Sequence, residues 1–169
     1  MADVRCIPIR SDLDIVAARV EGRNLAKEIG FDIIDQARIA TAITELARNV
    51  VLYAGDGAVT VKRIRSADAG DGTTAPASAL PRTSAELSGQ ASEAAGREKE
   101  PSAELRGIEV VCEDQGPGIQ ALEEVLRDAY SVGRGLGTGL SGTRRLMDEF
   151  DIRSEVGVGT TVTVRKWLR

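Results

Sequence analysis

Histidine is absent from all 169 positions. That excludes His-based catalytic triads, His-ligated metals and a histidine phosphoacceptor on this chain, so any general base must be a carboxylate, a lysine or something rarer. Aromatic residues make up only 3% of the chain, which leaves the core to aliphatic side chains. No apolar run approaches the roughly 20 residues of a membrane-spanning helix. The opening Met1-Ala2-Asp3-Val4-Arg5 has no signal-peptide pattern, so the expectation is a cytoplasmic protein with no membrane association. There is no basic block. With 22 Lys and Arg against 26 Asp and Glu, the net charge is −4, which argues against a nucleic-acid or membrane-surface partner. The two cysteines, Cys6 and Cys112, lie in apolar, strand-like stretches, and both are expected to be small core residues in a reducing compartment.

The length suits one domain with a real core. Residues 4–9 alternate like a strand, and Pro8 places it at a sheet edge or makes it irregular. Ser11 and Asp14 mark a helix start. The helix that follows puts Ile15, Ala18, Gly22, Leu25 and Ile29 on one side and ends at Gly30. Phe31-Asp32 opens a second helix with a stripe of Ile39, Ile43, Leu46, Val50 and Tyr53, ending at Gly55. Ala58 to Arg65 reads as a strand. From 66 to 106 the composition shifts to Ala, Ser, Gly, Pro, Glu and Thr, with Leu80, Leu87 and Leu105 as the only large apolar residues. Such a segment buries too little surface to offset its ordering entropy, and a flexible insertion at 66–106 is expected within a single domain spanning 1–169. Ile108 to Cys112 is a buried strand, Ala121 to Ala129 a short helix, Ser131 to Gly142 a glycine-rich loop, and Thr143 to Phe150 a helix. Ile152 to Glu155 and Thr160 to Trp167 form a hairpin about Gly157-Val158-Gly159. This order suggests an α/β two-layer sandwich, with helices on one face of a mixed, mostly antiparallel sheet.

Four short patterns carry chemistry. Glu45 and Asn49 lie four apart, on one helix face beside the apolar stripe, and so edge a cleft. A carboxylate can take a proton from a hydroxyl, and a carboxamide oxygen is a hard ligand suited to magnesium. Taken alone, the pair is better explained as a solvated helix face. Asp114-Gln115-Gly116-Pro117-Gly118 ends a strand. Its carboxylate can accept from a donor such as the exocyclic amine of adenine, and its glycines let backbone approach a flat ligand. A plain turn also accounts for it. Gly133-Arg134-Gly135-Leu136-Gly137-Thr138-Gly139-Leu140 runs into a helix, where free N–H groups and the helix N-terminus can face phosphates. It has neither the strand that precedes a Rossmann turn nor the Lys-Ser/Thr of a Walker loop. Gly157-Val158-Gly159-Thr160 is a hairpin turn from which Thr160 can reach a ligand.

In this order, Glu-x-x-x-Asn, Asp-x-Gly-x-Gly, Gly-x-Gly-x-Gly and Gly-Thr resemble the four boxes of the GHKL (Bergerat) ATPase and kinase superfamily. The stretches SDLDIVAARVEGRNLAKEIGF, DQARIATAITELARNVVLYAG, EDQGPGI and RLMDEFDI resemble, more closely, the switch serine/threonine kinases of bacterial stressosome modules, the RsbT family. The resemblance implies a GHKL ATP-binding fold using ATP and magnesium. It implies Glu45 as general base, Asn49 as magnesium ligand, Asp114 on adenine, and Gly116 and Gly118 shaping the base pocket. Gly135, Gly137 and Gly139, with Leu140 after them, form the phosphate lid. Thr160 supports the Asp114 end, and Arg48 sits near the phosphates. The implied partners are STAS-domain scaffold proteins as substrates and a PP2C-type phosphatase as output in a stress or second-messenger pathway. A homodimer is one option that the residues leave open.

The insertion at 66–106 departs from the compact family pattern but leaves the boxes intact. Two other readings compete with a serine/threonine kinase. One is a non-catalytic nucleotide-gated binder or anti-sigma factor of the same superfamily. The other is the ATP domain of a histidine kinase, which is weakest, because those proteins place Asn where this chain has Glu45. A glutamate there makes sense where a neutral hydroxyl must be deprotonated, which favours the kinase.

Overall fold

The computed structural model describes residues 3–66, 105–128 and 138–169. Most of the 66–106 segment, Arg134, Gly135 and Gly137 lie outside the described residues. The described elements are β1 (Val4–Ile9), α1 (Asp12–Ile29), α2 (Ile33–Asn49), a π-helical turn (Val50–Ala54), β2 (Gly57–Arg65), β3 (Arg106–Asp114), α3 (Leu122–Asp128), α4 (Thr138–Leu146), β4 (Glu149–Glu155) and β5 (Gly159–Trp167).

The strands form one sheet in the order β1-β2-β3-β5-β4. Every pairing among them is antiparallel, so none of the parallel pairs that a mixed sheet would allow occurs. Alternation sorts the side chains. Val59 and Val61 of β2, Ile108, Val110 and Cys112 of β3, and Val162 and Val164 of β5 join one core with the stripes of α1 and α2, as a strand period of two dictates. β1 is an edge strand, as Pro8 predicts. Its helix-facing residues include Arg5, whose guanidinium ties it to α1 through Glu21 at 3.1 Å and Glu28 at 2.7 Å. Cys6 has the opposite parity and is exposed, which corrects the expectation that both cysteines are core residues.

The other face of the sheet carries a row of alternating charge. Lys62, Glu109, Arg165 and Glu149 stand in register across β2, β3, β5 and β4. They are linked at 2.7, 2.6 and 2.9 Å. This row explains how a central strand tolerates a glutamate only 5% exposed: both neighbours are cations that hydrogen-bond it.

The two long helices begin as read. Asp14 accepts the backbone N–H of Ser11 at 2.9 Å. Asp32 caps α2 by accepting from the Asp35 N–H at 2.7 Å. α1 ends on Gly30 at φ 110°, a left-handed turn that glycine adopts without strain. Two helices differ from expectation in where they run. α2 does not run on as a regular helix to Gly55. After Asn49 it widens into a π-turn closed by a hydrogen bond from Gly55 N–H to Val50 O at 2.7 Å. The helix expected over Thr143 to Phe150 instead spans Thr138–Leu146, and Glu149 and Phe150 belong to β4. Gly139 and Gly142 have poor intrinsic helix propensity, but packing of this segment on α2 overrides it.

Candidate nucleotide site

The sheet end that carries Asp114, the C-terminal end of α2 with its π-turn, and the start of α4 enclose a cavity of about 260 Å³. Its walls are mostly apolar and include Leu46, Val50, Cys112, Ile119, Leu140 and Val162. Among the described residues, the polar side chains that reach it are few: Asn49, Tyr53, Asp114 and Thr160. An apolar slot with a few fixed polar groups is the usual form of a small-molecule site.

Asp114 is the last residue of β3. Its Oδ1 accepts the N–H of Gly116 at 2.9 Å, which sets the carboxylate's orientation. Gly116 lies against the π-turn, where a Cβ would come within 2.7 Å of the Ala54 Cβ. Gly118 has φ 73°, and a Cβ there would strike the Glu155 carbonyl oxygen. Thr160 pairs with Asp114 across the sheet. The Thr160 hydroxyl lies 2.8 Å from the Ser154 hydroxyl, which itself accepts the Ile119 N–H at 2.8 Å. Thr160 and Ser154 therefore brace the glycine loop against the β4–β5 hairpin. Burial pushes the Cys112 thiol up to about 12, with Asp114 and Glu113 adding to it, so the wall it contributes stays neutral.

On the helical side, Asn49 lines the cavity and Glu45 flanks it one turn earlier, its side chain 29% exposed. Both approach Gly139 of α4. A Cβ built there would lie 3.2 Å from Glu45 Oε2 and 3.5 and 3.6 Å from the Asn49 Nδ2 and Oδ1. Gly139 is held by a bond from the Thr143 hydroxyl to its carbonyl at 2.7 Å. Leu140, the next residue, faces the cavity. Arg48 Nη1 is 3.0 Å from Glu45 Oε1.

The structure thus brings Asn49, Asp114, Gly118, Leu140 and Thr160 to one cavity, places Gly116 against its wall, and sets Glu45 at its rim beside Gly139. Gly135 and Gly137 fall outside the described residues. Three contributors escaped the sequence reading. Tyr53, expected in the core stripe, is 47% exposed and lines the cavity, because the π-turn rotates it off that stripe. Ser154 gave no local signal, since its role depends on a cross-strand pairing. Gly159 read as a turn residue and as the glycine of the Gly-Thr box, with no contact of its own, yet a Cβ there would overlap the Asp114 carbonyl. Its φ of 146° was not legible, but glycine directly before a strand was an available hint.

Residues 34–169 match the family described as histidine kinase-, DNA gyrase B-, and HSP90-like ATPase. The chain is also 41% identical over 169 residues to the serine/threonine-protein kinase RsbT of Bacillus subtilis (strain 168), with 100% of each chain covered. The protein belongs to this ATPase family and, within it, to the RsbT group of serine/threonine-protein kinases.

Proposed function

We propose that this kinase transfers the γ-phosphoryl group of ATP to a serine or threonine hydroxyl of a STAS-domain scaffold protein, with Glu45 as general base. The released kinase then engages a PP2C-type phosphatase in a cytoplasmic partner-switching pathway. The observation that carries the catalytic part is the convergence of Glu45 and Asn49 on Gly139, beside a cavity that holds Asp114. Among the described residues no helix is long and apolar enough to cross a membrane.

In this reading adenine enters the apolar slot and donates its exocyclic amine to Asp114, on the oxygen that Gly116 leaves free. Gly116 and Gly118 shape the floor, and Thr160 keeps the Asp114 end in place. Gly135, Gly137 and Gly139 cover the phosphates. The acceptor hydroxyl gives its proton to Glu45, and its oxygen bonds to the γ-phosphorus. The bond to the β–γ bridging oxygen breaks, and its electron pair leaves on ADP. Glu45 later returns the proton to water. Such a reaction needs mainly positioning and charge neutralisation.

Magnesium fits the donor chemistry. Asn49 offers a hard carboxamide oxygen at the cavity, the kind of ligand that magnesium takes, and would be the residue to hold it. When bound, it would neutralise phosphate charge.

The Arg48 ion pair favours a second reading, in which Glu45 is only a structural partner and the chain is a nucleotide-gated binder or an anti-sigma factor. Glu45→Gln separates the two. Glutamine keeps the length and helix propensity of glutamate but cannot accept a proton at neutral pH. A base predicts unchanged ATP binding and a fall in phosphoryl transfer of roughly 10²–10⁴-fold. Transfer to a STAS-domain acceptor at the wild-type rate removes Glu45 from the chemistry.

A further inference from the structure

The two oxygens of Glu45 have different neighbours. Oε1 is 3.0 Å from the Arg48 guanidinium, one turn further along α2. Oε2 is the oxygen next to Gly139, 3.2 Å from where a Cβ would stand. Glu45 is partly buried and Arg48 half-exposed, so the guanidinium lies on the solvent side of the pair.

A glutamate side chain has three torsions, and at a cavity rim it loses catalytic geometry unless something fixes it. Asn49 cannot do so if its carboxamide is engaged with a metal ion. Arg48 is the cation placed to fix it, because residues three apart on a helix are neighbours. A charge-assisted N–H bond fixes the direction of the oxygen it holds.

We infer that Arg48 is a positioning residue for phosphoryl transfer: by holding Glu45 Oε1 it presents Oε2, on the Gly139 side, as the atom that takes the acceptor's proton. This rests on Glu45 being the base. It differs from a role for Arg48 on the phosphates, which would act on nucleotide binding instead of on the proton-transfer geometry. The conformation of Glu45 is then set from both sides, by a cation that pins one oxygen and by a missing Cβ that leaves room for the other.

The test measures transfer from labelled ATP to a STAS-domain protein that the wild-type chain phosphorylates. The variants are Arg48→Ala, Arg48→Lys, Glu45→Gln and the Arg48→Ala/Glu45→Gln double variant. Arg48→Ala should lower kcat by roughly 10–10²-fold, the effect of a displaced catalytic group. The KM for ATP should stay within about twofold, because ground-state binding is untouched. Arg48→Lys should recover most of the loss, since its ammonium still reaches a carboxylate three residues away. The double variant should be no slower than Glu45→Gln alone, because residues acting as one unit are not additive.

Arg48→Ala at the wild-type kcat, with Glu45→Gln inactive, overturns the inference and leaves the base assignment standing. A raised KM for ATP at unchanged kcat overturns it in favour of phosphate contact. Additive losses in the double variant overturn it as well. Wild-type transfer by Glu45→Gln sinks the base assignment itself, and the positioning role with it.

Discussion

Asp114 Oδ1 accepts the backbone N–H of Gly116 at 2.9 Å, so the loop engages one carboxylate oxygen, and in the proposed reading the other meets the ligand. This division sharpens what Asp114→Asn should do. The asparagine carbonyl oxygen can keep the Gly116 bond, which turns the amide nitrogen, a donor, toward a donor on the base. A mismatched buried polar group costs about 1–3 kcal/mol, and each 1.4 kcal/mol is a tenfold change in affinity. Calorimetry should show ATP affinity falling by about tenfold or more, with the melting temperature little changed. Unchanged affinity would take Asp114 out of the site.

β2 and β3 pair without a break from Gly57↔Asp114 to Arg65↔Arg106. Past the last pair, Ser66 N–H still donates to Leu105 O at 2.8 Å. Antiparallel neighbours can be joined by a two-residue turn. The join lies at the far end of β3 from Asp114, about 27 Å away at 3.3–3.4 Å per residue. Replacing residues 67–104 by Asn-Gly should therefore leave the fold and ATP affinity nearly unchanged, because closure entropy changes by only about 0.6 kcal/mol per doubling of loop length. Differential scanning calorimetry and ATP titration of the shortened chain provide the check. Unfolding, or lost ATP affinity, would mean that the segment belongs to the folded domain.

What was legible in the sequence divides by the range of the interaction. The stripes of α1 and α2 and the strands β2, β3 and β5 could be read because burial on one face imposes a local period. Asp32, Gly30 and Asp14 announced helix ends through local hydrogen bonds. The position of Asn49 relative to Glu45 followed from helical spacing. The π-turn after Asn49 could not be read, since Val50–Ala54 has the pattern of one more helical turn, and only tertiary packing selects the wider hydrogen bond. The start of α4 at Thr138 was hidden by its glycines. One of them, Gly139, stands against Glu45 and Asn49, a contact that no propensity argument registers. Ser154 illustrates the remaining gap: its bond to Thr160 depends on β4–β5 register.

Glu109 gives the fold a predictable acid dependence. Burial by itself would raise its carboxyl, but hydrogen bonds and charges from Lys62 and Arg165 outweigh burial and hold it below its ordinary value. A carboxyl lowered on folding adds stability above its unfolded pKa of about 4.3. That stability is lost as pH falls through the lower folded value. Glu109→Gln should cost roughly 1–3 kcal/mol near neutral pH, where it removes the carboxylate that Lys62 and Arg165 share and leaves Arg165 with Glu149 alone. The gap to wild type should close as urea melts are repeated below about pH 4. A pH-independent gap would show that packing, not charge, accounts for the loss.

Gly139→Ala should move stability and activity in opposite directions. Gly139 lies inside α4 at a φ outside the left-handed region, so alanine fits the backbone, and helix propensity alone favours it by about 0.5–1 kcal/mol. Most glycine substitutions at close contacts destabilise, but here the nearest atoms to the new methyl are side-chain tips. Glu45 Oε2 would stand at 3.2 Å and the Asn49 amide atoms at 3.5 and 3.6 Å. The first distance is tight, and Glu45 at the rim can move away at little cost. The displacement falls on the atom assigned to proton transfer, so kcat should drop by roughly 10-fold or more. The Kd for ATP should change less than kcat, because the Asn49 amide atoms stay at ordinary contact distance from the new methyl and the adenine end at Asp114 is untouched. Melting temperature, transfer rate and ATP affinity measured on the one variant decide the matter. A stabilised Gly139→Ala enzyme with wild-type kcat would show that the space beside Glu45 has no part in the chemistry.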